Sequence, residues 1–360
     1  MPRGNDMRDD MVTAKLLLLG DAKAGKTEYA LKAAEAGFNV LLMDGDVAVQ
    51  TITAVDPAAR HRIFVMDVSD RLDSGIDPRM IQIVADFFTS STYLWNDTQQ
   101  KAYSRAKDAH DPESGAALDE IWEFHPAALN HHWVVVPDSW TTLAYSGTLA
   151  KAEDMGVSVG DVEKFDMNLY AGVNNRLTNM LAVIQKAKCH FIVPGHPAQY
   201  EKTRSPDNSN AAEAGKMKNR IVEWTKMIPK SSSNPHGLTM GKFFSDIGWI
   251  DILKSGKREL SFKATSDRVS GGHLDGKGDP RGDYKFSELL KKIGAWVPEN
   301  PKVDLPLGNG LIIHPAGTFI PAAKKPAMVL GGKSPASTPL EPAQPTQVKG
   351  LGGLLKKPAV

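Results

Sequence analysis

The chain of 360 residues has one cysteine, almost no net charge and no long hydrophobic run. Cys189 alone cannot form an intramolecular disulfide, which suits a reducing compartment. Lys and Arg number 43 against 42 Asp and Glu, so any contact with nucleic acid must come from a local patch. No run has the length of a membrane span, and the first residues lack the apolar core of a signal peptide. These absences favour a cytoplasmic protein without membrane contact.

The sequence also lacks an internal repeat, a Cys/His metal cluster and a Ser–His–acid signature. Its length allows one large core or two modest ones. Residues 1–13 are predicted to be a flexible arm, and residues 14–300 a single α/β domain. Residues 301–360 are rich in Pro, Gly, Ala, Ser and Lys. That composition buries too little apolar surface to offset its ordering entropy, so we predict a largely disordered, low-complexity tail.

An apolar run, LLLLGDAKAGKT at residues 16–27, leads into G-x-x-x-x-G-K-T and then into a helix-forming segment. This is the strand–loop–helix context of a Walker A phosphate loop; the alternative, a plain glycine turn, is less favoured because the GKT ending is intact. Lys26 is expected to reach the β- and γ-phosphates, and Thr27 to ligate Mg²⁺. The loop backbone would bind the remaining phosphate oxygens. The predicted nucleotide-binding residues are Gly20, Asp21, Ala22, Lys23, Ala24, Gly25, Lys26 and Thr27.

Three later apolar strands end in polar residues. Asp44 and Asp46 follow one strand, Asp138 follows VVVP, and His196 follows a strand that ends in Pro-Gly. The carboxyl ends of parallel strands meet at one edge of an open sheet, where such folds place their chemistry. We therefore predict that Asp138 is a Walker B aspartate that shares Mg²⁺ with Thr27. His196 lies where a side chain can sense the γ-phosphate, and a turn histidine held by local hydrogen bonds is an equal alternative.

Periodicity gives a coarse plan for the remaining chain. Residues 91–130 show no motif and are interpreted as helical material around the sheet. The predicted helices are 27–36, 78–88, 166–188 and 284–295, and the predicted strands are 14–19, 38–43, 62–66, 133–136, 189–193, 243–253 and 259–263.

The order GDAKAGKT, DGD, VVVPDSWTTL and a strand ending in GH resembles the RecA-type ATPase core. It is most similar to the small RecA-like ATPases of bacteriophages that act in single-strand annealing and recombination. The resemblance covers about residues 14–270 and includes FKATSDRVSG at residues 262–271, which is similar to the family's distal basic motif. It makes residues 14–300 a RecA-like ATPase domain with a mainly parallel sheet flanked by helices, and it implies ATP and Mg²⁺ as cofactors.

The resemblance also implies roles for single residues. Asp46 takes the position of the base that activates water, which is generally glutamate in the family, and Asp44 is the fallback. The family associates into rings or filaments, so Arg268 or Lys263 is expected to reach a neighbour's phosphates. A solvated surface strand is the alternative for both cations. Host-cell cytoplasm is the implied location, with a single-strand-binding protein as a further partner.

The segment at residues 199–237 is implied to contact single-stranded DNA, because the loop after the sensing strand does so in RecA-like proteins. Cations that follow the backbone and aromatics that stack on any base suit this role. The alternative is a solvated loop with a short helix packed on the core. The predicted DNA-binding residues are Lys202, Arg204, Lys216, Lys218 and Arg220, with Tyr200 and Trp224 available for stacking.

Four functions remain open after the sequence. A recombination or annealing ATPase acting on single-stranded DNA is favoured, and a motor of the replicative-helicase type is the runner-up enzyme. A P-loop kinase is less favoured because no compact arginine-rich lid follows Asp138. The non-enzymatic alternative is a nucleotide-gated DNA-binding module with little turnover, which the short side chain of Asp46 would suit.

Overall fold

A computed structural model describes residues 12–46, 48–70, 78–96, 101–103, 120–156, 167–204, 221–263, 265–273 and 285–316. Most of the predicted N-terminal arm, three of the predicted DNA-binding cations (Lys216, Lys218 and Arg220) and the chain beyond residue 316 lie outside these ranges. Within them, no helix is long and apolar enough to cross a membrane.

The described residues form short strands and helices in alternation. In chain order these are β1 (Lys15–Gly20), α1 (Lys26–Leu31), β2 (Asn39–Asp44), β3 (Ile63–Asp67), α2 (Arg79–Thr89), β4 (Tyr93–Asn96), β5 (Lys101–Tyr103), β6 (Ile121–Phe124), β7 (Trp133–Asp138), α3 (Trp140–Asp154), α4 (Met167–Lys186), β8 (His190–Gly195), β9 (Pro197–Arg204), β10 (Ile221–Pro229), α5 (Asn234–Met240), β11 (Asp246–Ile252), β12 (Arg258–Ser261), β13 (Gly271–Gly272), α6 (Phe286–Ile293) and β14 (Leu311–His314).

The main sheet has eight strands, in the order β12-β11-β1-β8-β7-β2-β3, with β13 also paired to β11. The six strands from β11 to β3 are parallel, whereas β12 and β13 run antiparallel to β11. The protein is thus α/β with a mixed, mostly parallel sheet flanked by helices, and this part of the predicted fold class is confirmed. The parallel register brings the carboxyl ends of β1, β2, β7 and β8 to one edge.

The core lies on both faces of this sheet. Leu17 and Leu19 belong to one buried cluster, while Leu16 and Leu18 belong to a second cluster on the opposite face. Because successive side chains of a strand point to opposite faces, a strand that is covered on both sides reads as a continuous apolar run. This arrangement explains the unbroken leucines of β1.

One predicted helix, 27–36, is too long, and one observed helix, α3, was not predicted. The first helix ends at Leu31, and the chain reaches Gly37 through turns in which the N–H of Ala33 bonds to the oxygen of Ala30, three residues back. Gly37 has a φ of +97°, as expected for a residue that ends a helical stretch. Helix α3 was missed, because its apolar residues show almost no single-sided periodicity and eight of its fifteen residues are buried.

The described part of residues 91–130 contains one 3-10 turn, Pro126–Ala128, and no α-helix. These residues contribute β4, β5 and β6 to a second, antiparallel sheet of four strands, in the order β14-β6-β4-β5. The aromatic residues of this region, among them Trp95 and Trp122, are buried in strands. Aromatic side chains favour pleated, half-buried surfaces, so the strand preference outweighed the charges nearby.

The low-complexity tail was predicted to begin at residue 301, but the structure continues past that residue. Residues 301–316 are described, and Leu311–His314 forms an edge strand that pairs with β6. Asp304 binds the guanidinium of Arg62 at 2.8 Å, and the oxygen of Leu307 accepts the indole N–H of Trp133 at 3.2 Å. Short strands of this kind depend on distant partners and show no periodicity of their own.

The predicted DNA-binding segment is also not a loop at its ends. Strands β9 and β10 form an antiparallel hairpin that pairs Tyr200 with Lys226 and Lys202 with Trp224. Helix α5 then returns the chain to the sheet, where His236 is buried against Trp140 in a parallel stack. The hairpin therefore extends from a packed base.

Candidate functional site

The loop after β1 has a backbone that only certain residues adopt. Gly25 has a φ of +96° and Lys23 a φ of +64°, both in the left-handed region. A Cβ on Gly20 would lie 2.6 Å from the oxygen of Ile250 on the neighbouring strand. Glycine is therefore required at position 20 by close packing and favoured at position 25 by conformation.

Lys26 is held inside the loop. Its side chain is buried, and Nζ donates to the oxygens of Gly20 at 2.9 Å and Asp21 at 2.8 Å. Burial lowers the pKa of Lys26, and the carboxylates of Asp138, Asp21 and Asp46 oppose that shift. The ammonium is thus fixed among negative groups on the cavity side of the loop.

Thr27 and Asp138 are in direct contact. The hydroxyl of Thr27 donates to Oδ2 of Asp138 at 2.7 Å. Burial raises the pKa of Asp138 to about 7; Asp46 and Asp44 add to the rise, and the Thr27 hydrogen bond opposes it. A hydroxyl and a carboxylate beside a phosphate loop are the protein ligands that Mg²⁺ uses, so these two residues fit the predicted metal.

Aspartates end three neighbouring strands. Asp44 of β2 is in register with Asp138 of β7 and with Asp67 of β3. Between Asp44 and Asp46, a Cβ on Gly45 would lie 2.4 Å from Sδ of Met80. The N–H of Gly45 also donates to the oxygen of Asp138 at 2.7 Å. Gly45 thereby ties the end of β2 to the end of β7, and Asp46 lines the cavity at the loop.

The residues that follow Asp138 in the chain form hydrogen bonds with Asp46 and His196, two further predicted site residues. Ser139 caps α3 by accepting the N–H of Thr142. Oγ1 of Thr142 donates to Oδ1 of Asp46, and Oγ1 of Thr141 accepts the N–H of His196 at 2.9 Å. Neither threonine was singled out from the sequence. The sequence shows Ser139 at the end of a strand, and serine often caps a helix. That pattern indicates where the helix starts, but it does not indicate which side chains Thr141 and Thr142 contact.

His196 is half-buried at the end of β8. Burial lowers the pKa of His196, and the Lys26 ammonium lowers it further while Asp46 opposes the shift. The neutral imidazole is therefore favoured, and it can donate or accept one hydrogen bond at each nitrogen according to its tautomer.

A cavity of about 440 Å³ collects these groups. Its lining includes Lys26, Thr27, Asp46, Asp138 and His196, which the sequence placed at one sheet edge. It also includes Arg258, which the sequence analysis missed. The guanidinium of Arg258 binds Oε2 of Glu28, and its Nη1 would lie 2.8 Å from a Cβ on Gly25.

Arg268 lies apart from this cavity. Its Nη1 donates to Oδ2 of Asp251 at 2.6 Å, and its guanidinium lies 4.9 Å from the ring centroid of Trp249. The ion pair with Asp251 is the main cause of the raised pKa of Arg268. The structure thus gives Arg268 a role within its own chain, and its action on a neighbour stays a prediction.

Of the predicted DNA-binding residues, Lys202 is exposed on β9 and Arg204 ends that strand. Tyr200 and Lys202 are two residues apart, so they share one face of the hairpin, and Lys226 faces Tyr200 from β10. Lys230, at the base of the hairpin, donates its N–H to the oxygen of His196 at 2.8 Å.

No protein-family model matches the chain, and no curated protein is similar enough to count as a match.

Proposed function

We propose that this protein is a Mg²⁺-dependent ATPase of RecA-like architecture that acts on single-stranded DNA in recombination or annealing of the bacteriophage type. The observation that carries the proposal is the hydrogen bond between Thr27 and Asp138 at the end of a Walker A loop. It joins the two residues that a phosphate-bound Mg²⁺ requires, although they are 111 positions apart. In a glycine turn that binds no ligand, a hydrogen bond from the threonine to a buried aspartate would not be expected.

The residues around the cavity have distinct tasks in this proposal. Bound Mg²⁺ would neutralise charge on the phosphates. Lys26 exchanges loop carbonyls for phosphate oxygens, and Thr27 and Asp138 hold the metal. Asp46 takes the proton of the attacking water, and Thr142 fixes the orientation of its carboxylate. His196 faces the terminal phosphate as a neutral hydrogen-bonding group.

DNA is coupled to the nucleotide through His196. Its N–H is held by Thr141, its oxygen accepts the N–H of Lys230, and β9 begins at the next residue. A change at the terminal phosphate that moves His196 therefore moves the base of the hairpin. The cations of the hairpin and of residues 205–220 would follow the DNA backbone, while Tyr200 and Trp224 stack on bases.

Self-association completes the proposal. Phosphoryl transfer gains from an arginine or lysine that stabilises the charge of the transition state, and a neighbouring subunit of a ring or filament can supply it. Arg268 and Lys263 are the proposed donors, and Arg268 would have to leave Asp251 to act. A single-strand-binding protein is the further partner that this function implies.

A nucleotide-gated DNA-binding module with little turnover is the second proposal. One observation favours it: Asp46 is shorter than the glutamate of the resembled family, and Thr142 already occupies one of its oxygens. A motor of the replicative-helicase type shares the same site and differs in what it does to duplex DNA.

ATP hydrolysis measured with and without single-stranded DNA separates these functions. The recombination ATPase should show Mg²⁺-dependent turnover that DNA stimulates, and Lys26→Ala should lower it below about 1% of wild type. Lys254→Ala, an exposed lysine in the turn after β11, is the matched control and should leave turnover unchanged. Separation of duplex DNA would favour the helicase-type motor, and ATP binding without hydrolysis would favour the nucleotide-gated DNA-binding module. Unchanged hydrolysis in folded Lys26→Ala would contradict both enzymatic functions, and unchanged ATP affinity in the same variant would contradict the nucleotide-gated module.

A further inference from the structure

A second cavity, of about 580 Å³, lies between α1, the β11–β12 pair and α6. Leu260, Phe286 and Val297 contribute apolar side chains to its lining, and charged side chains of both signs, among them Glu35 and Lys291, surround them. Apolar surface for a ring, together with polar groups that fix its orientation, is what a small-molecule site requires. None of the residues that line only this cavity has a task in the phosphate chemistry.

The two cavities meet at the phosphate loop. Gly25, Glu28 and Arg258 line both of them. Arg258 binds Glu28 and covers the backbone of Gly25 so closely that a side chain at position 25 would collide with the guanidinium. Any ligand that occupies both cavities must pass beside this guanidinium. A planar guanidinium can bind phosphate oxygens and can also stack on aromatic rings.

The strand order gives a bound nucleotide a direction. Asp138 and Asp46 lie at the ends of β7 and β2, on one side of β1, while β11 and β12 lie on its other side. A nucleotide with its terminal phosphate beside Asp138 and Asp46 extends across the loop toward β11 and β12. The second cavity begins at that point.

We infer that the cavity between α1, β12 and α6 binds the nucleoside of the nucleotide whose phosphates lie on the loop, with Arg258 at the junction. The inference rests on the proposed function for the phosphates and adds the site of base and ribose. Leu260 and Val297 suit the flat apolar faces of a base. Glu35 and Lys291 suit the amino groups, ring nitrogens and hydroxyls at its edges and on the ribose.

The test compares ATP with tripolyphosphate, which has the phosphates and no nucleoside. Ser287 is half-buried on α6 and lines the cavity, so Ser287→Trp fills it. Lys292→Trp places the same side chain on an exposed position of the same helix outside the cavity. In calorimetry with Mg²⁺, Ser287→Trp should weaken ATP binding by about tenfold or more and leave tripolyphosphate binding unchanged. Lys292→Trp should change neither.

Photocrosslinking of the wild type with 8-azido-ATP gives a second readout that no substitution can disturb. The labelled peptides should come from the walls of the cavity, which are residues 28–36, 250–260 and 285–301. Labelling confined to residues 48–54, across the loop, would overturn the inference, as would equal ATP affinity in folded Ser287→Trp. A wild type that binds tripolyphosphate normally while these tests fail refutes the nucleoside site alone. A wild type that binds neither ligand refutes the proposed function and the nucleoside site together.

Discussion

The hydroxyl of Thr27 donates to Oδ2 of Asp138 across 2.7 Å, and the carboxyl that accepts it is almost fully buried beside two other aspartates. Such a carboxylate is unfavourable without a cation, because burial and like charges both disfavour its ionised form. Ionisation of Asp138 in the metal-free protein therefore costs folding free energy.

Asp138→Asn should make the metal-free protein more stable above pH 7 while impairing Mg²⁺-dependent turnover. The folded pKa of about 7 lies above the unfolded value of 3.8, so the folded state retains its proton longer as pH rises. Stability from this group is therefore complete below about pH 4 and falls as pH rises toward 7. The gain in Asp138→Asn above pH 7 is at most about 4 kcal/mol.

Urea unfolding of both proteins in EDTA, at pH values from 4 to 8, measures this difference. The wild type should approach the variant in stability at the acid end. Equal stability at pH 8 would show that ionisation of Asp138 costs no folding free energy, which would contradict the raised pKa of this carboxyl.

Thr142→Val tests whether Asp46 is a positioned base. The hydroxyl of Thr142 binds one oxygen of Asp46, so its loss frees the carboxylate to rotate without removing it. Turnover should fall by about tenfold with little change in ATP affinity, as for a group that acts in the transition state. Asp46→Asn should lower turnover further in the same way. Thr148→Val, on the same helix and away from the cavity, is the control.

Asp44 is the alternative base, and its variant decides between the two. If Asp46→Asn hydrolyses ATP normally and Asp44→Asn does not, the role belongs to Asp44. If Asp46→Glu, which introduces the residue usual in the RecA-type ATPases that the sequence resembles, raises turnover, the short side chain is what limits hydrolysis in this protein.

The sequence predicted those parts of the fold and site that depend on local pattern. The leucines of β1 and the valines of β7 identify buried strands, and the Walker A spacing places Lys26 and Thr27. The meeting of Thr27 and Asp138 followed from the two motifs, but contacts between distant residues outside any motif were not predictable: Thr142 and Asp46 are 96 positions apart, and Arg258 and Glu28 are 230 apart. Arg258 lies in a short strand without any motif. Nothing in its neighbourhood indicates that β12 returns the chain to the phosphate loop.

The cations of residues 199–237 should give DNA binding a measurable salt dependence. If three or four of them meet phosphates, log affinity should fall with log salt at a slope of about −2 to −3. Replacing Lys216, Lys218 and Arg220 together by Ala should flatten this slope and abolish DNA stimulation while basal ATPase remains. Lys202→Ala with Lys226→Ala tests the β9–β10 hairpin in the same assay. The control is Lys242→Ala with Lys254→Ala, which removes two exposed lysines outside residues 199–230. A slope that is unchanged in both the triple and the double variant would leave residues 199–237 without a role in DNA binding.

Truncation should divide the C-terminal region at residue 316. A chain of residues 1–316 keeps β14, Asp304 and Leu307, so it should unfold at the same temperature as the full chain and hydrolyse ATP at the same rate. A chain of residues 1–300 loses the ladder between β14 and β6 and leaves the buried guanidinium of Arg62 without Asp304 and without the oxygen of Pro301, which accepts its Nη1. It should unfold several degrees lower or fail to fold.

Leu311→Ala gives a gentler test, because Leu311 is buried against the core and its truncation should cost about 2 kcal/mol or more. Ile312→Ala, at an exposed position of the same strand, should cost much less. Thermal unfolding measured by circular dichroism compares all four variants. If residues 1–300 are as stable as the full chain, β14 adds nothing to the fold and the domain ends where the composition of the sequence first changes.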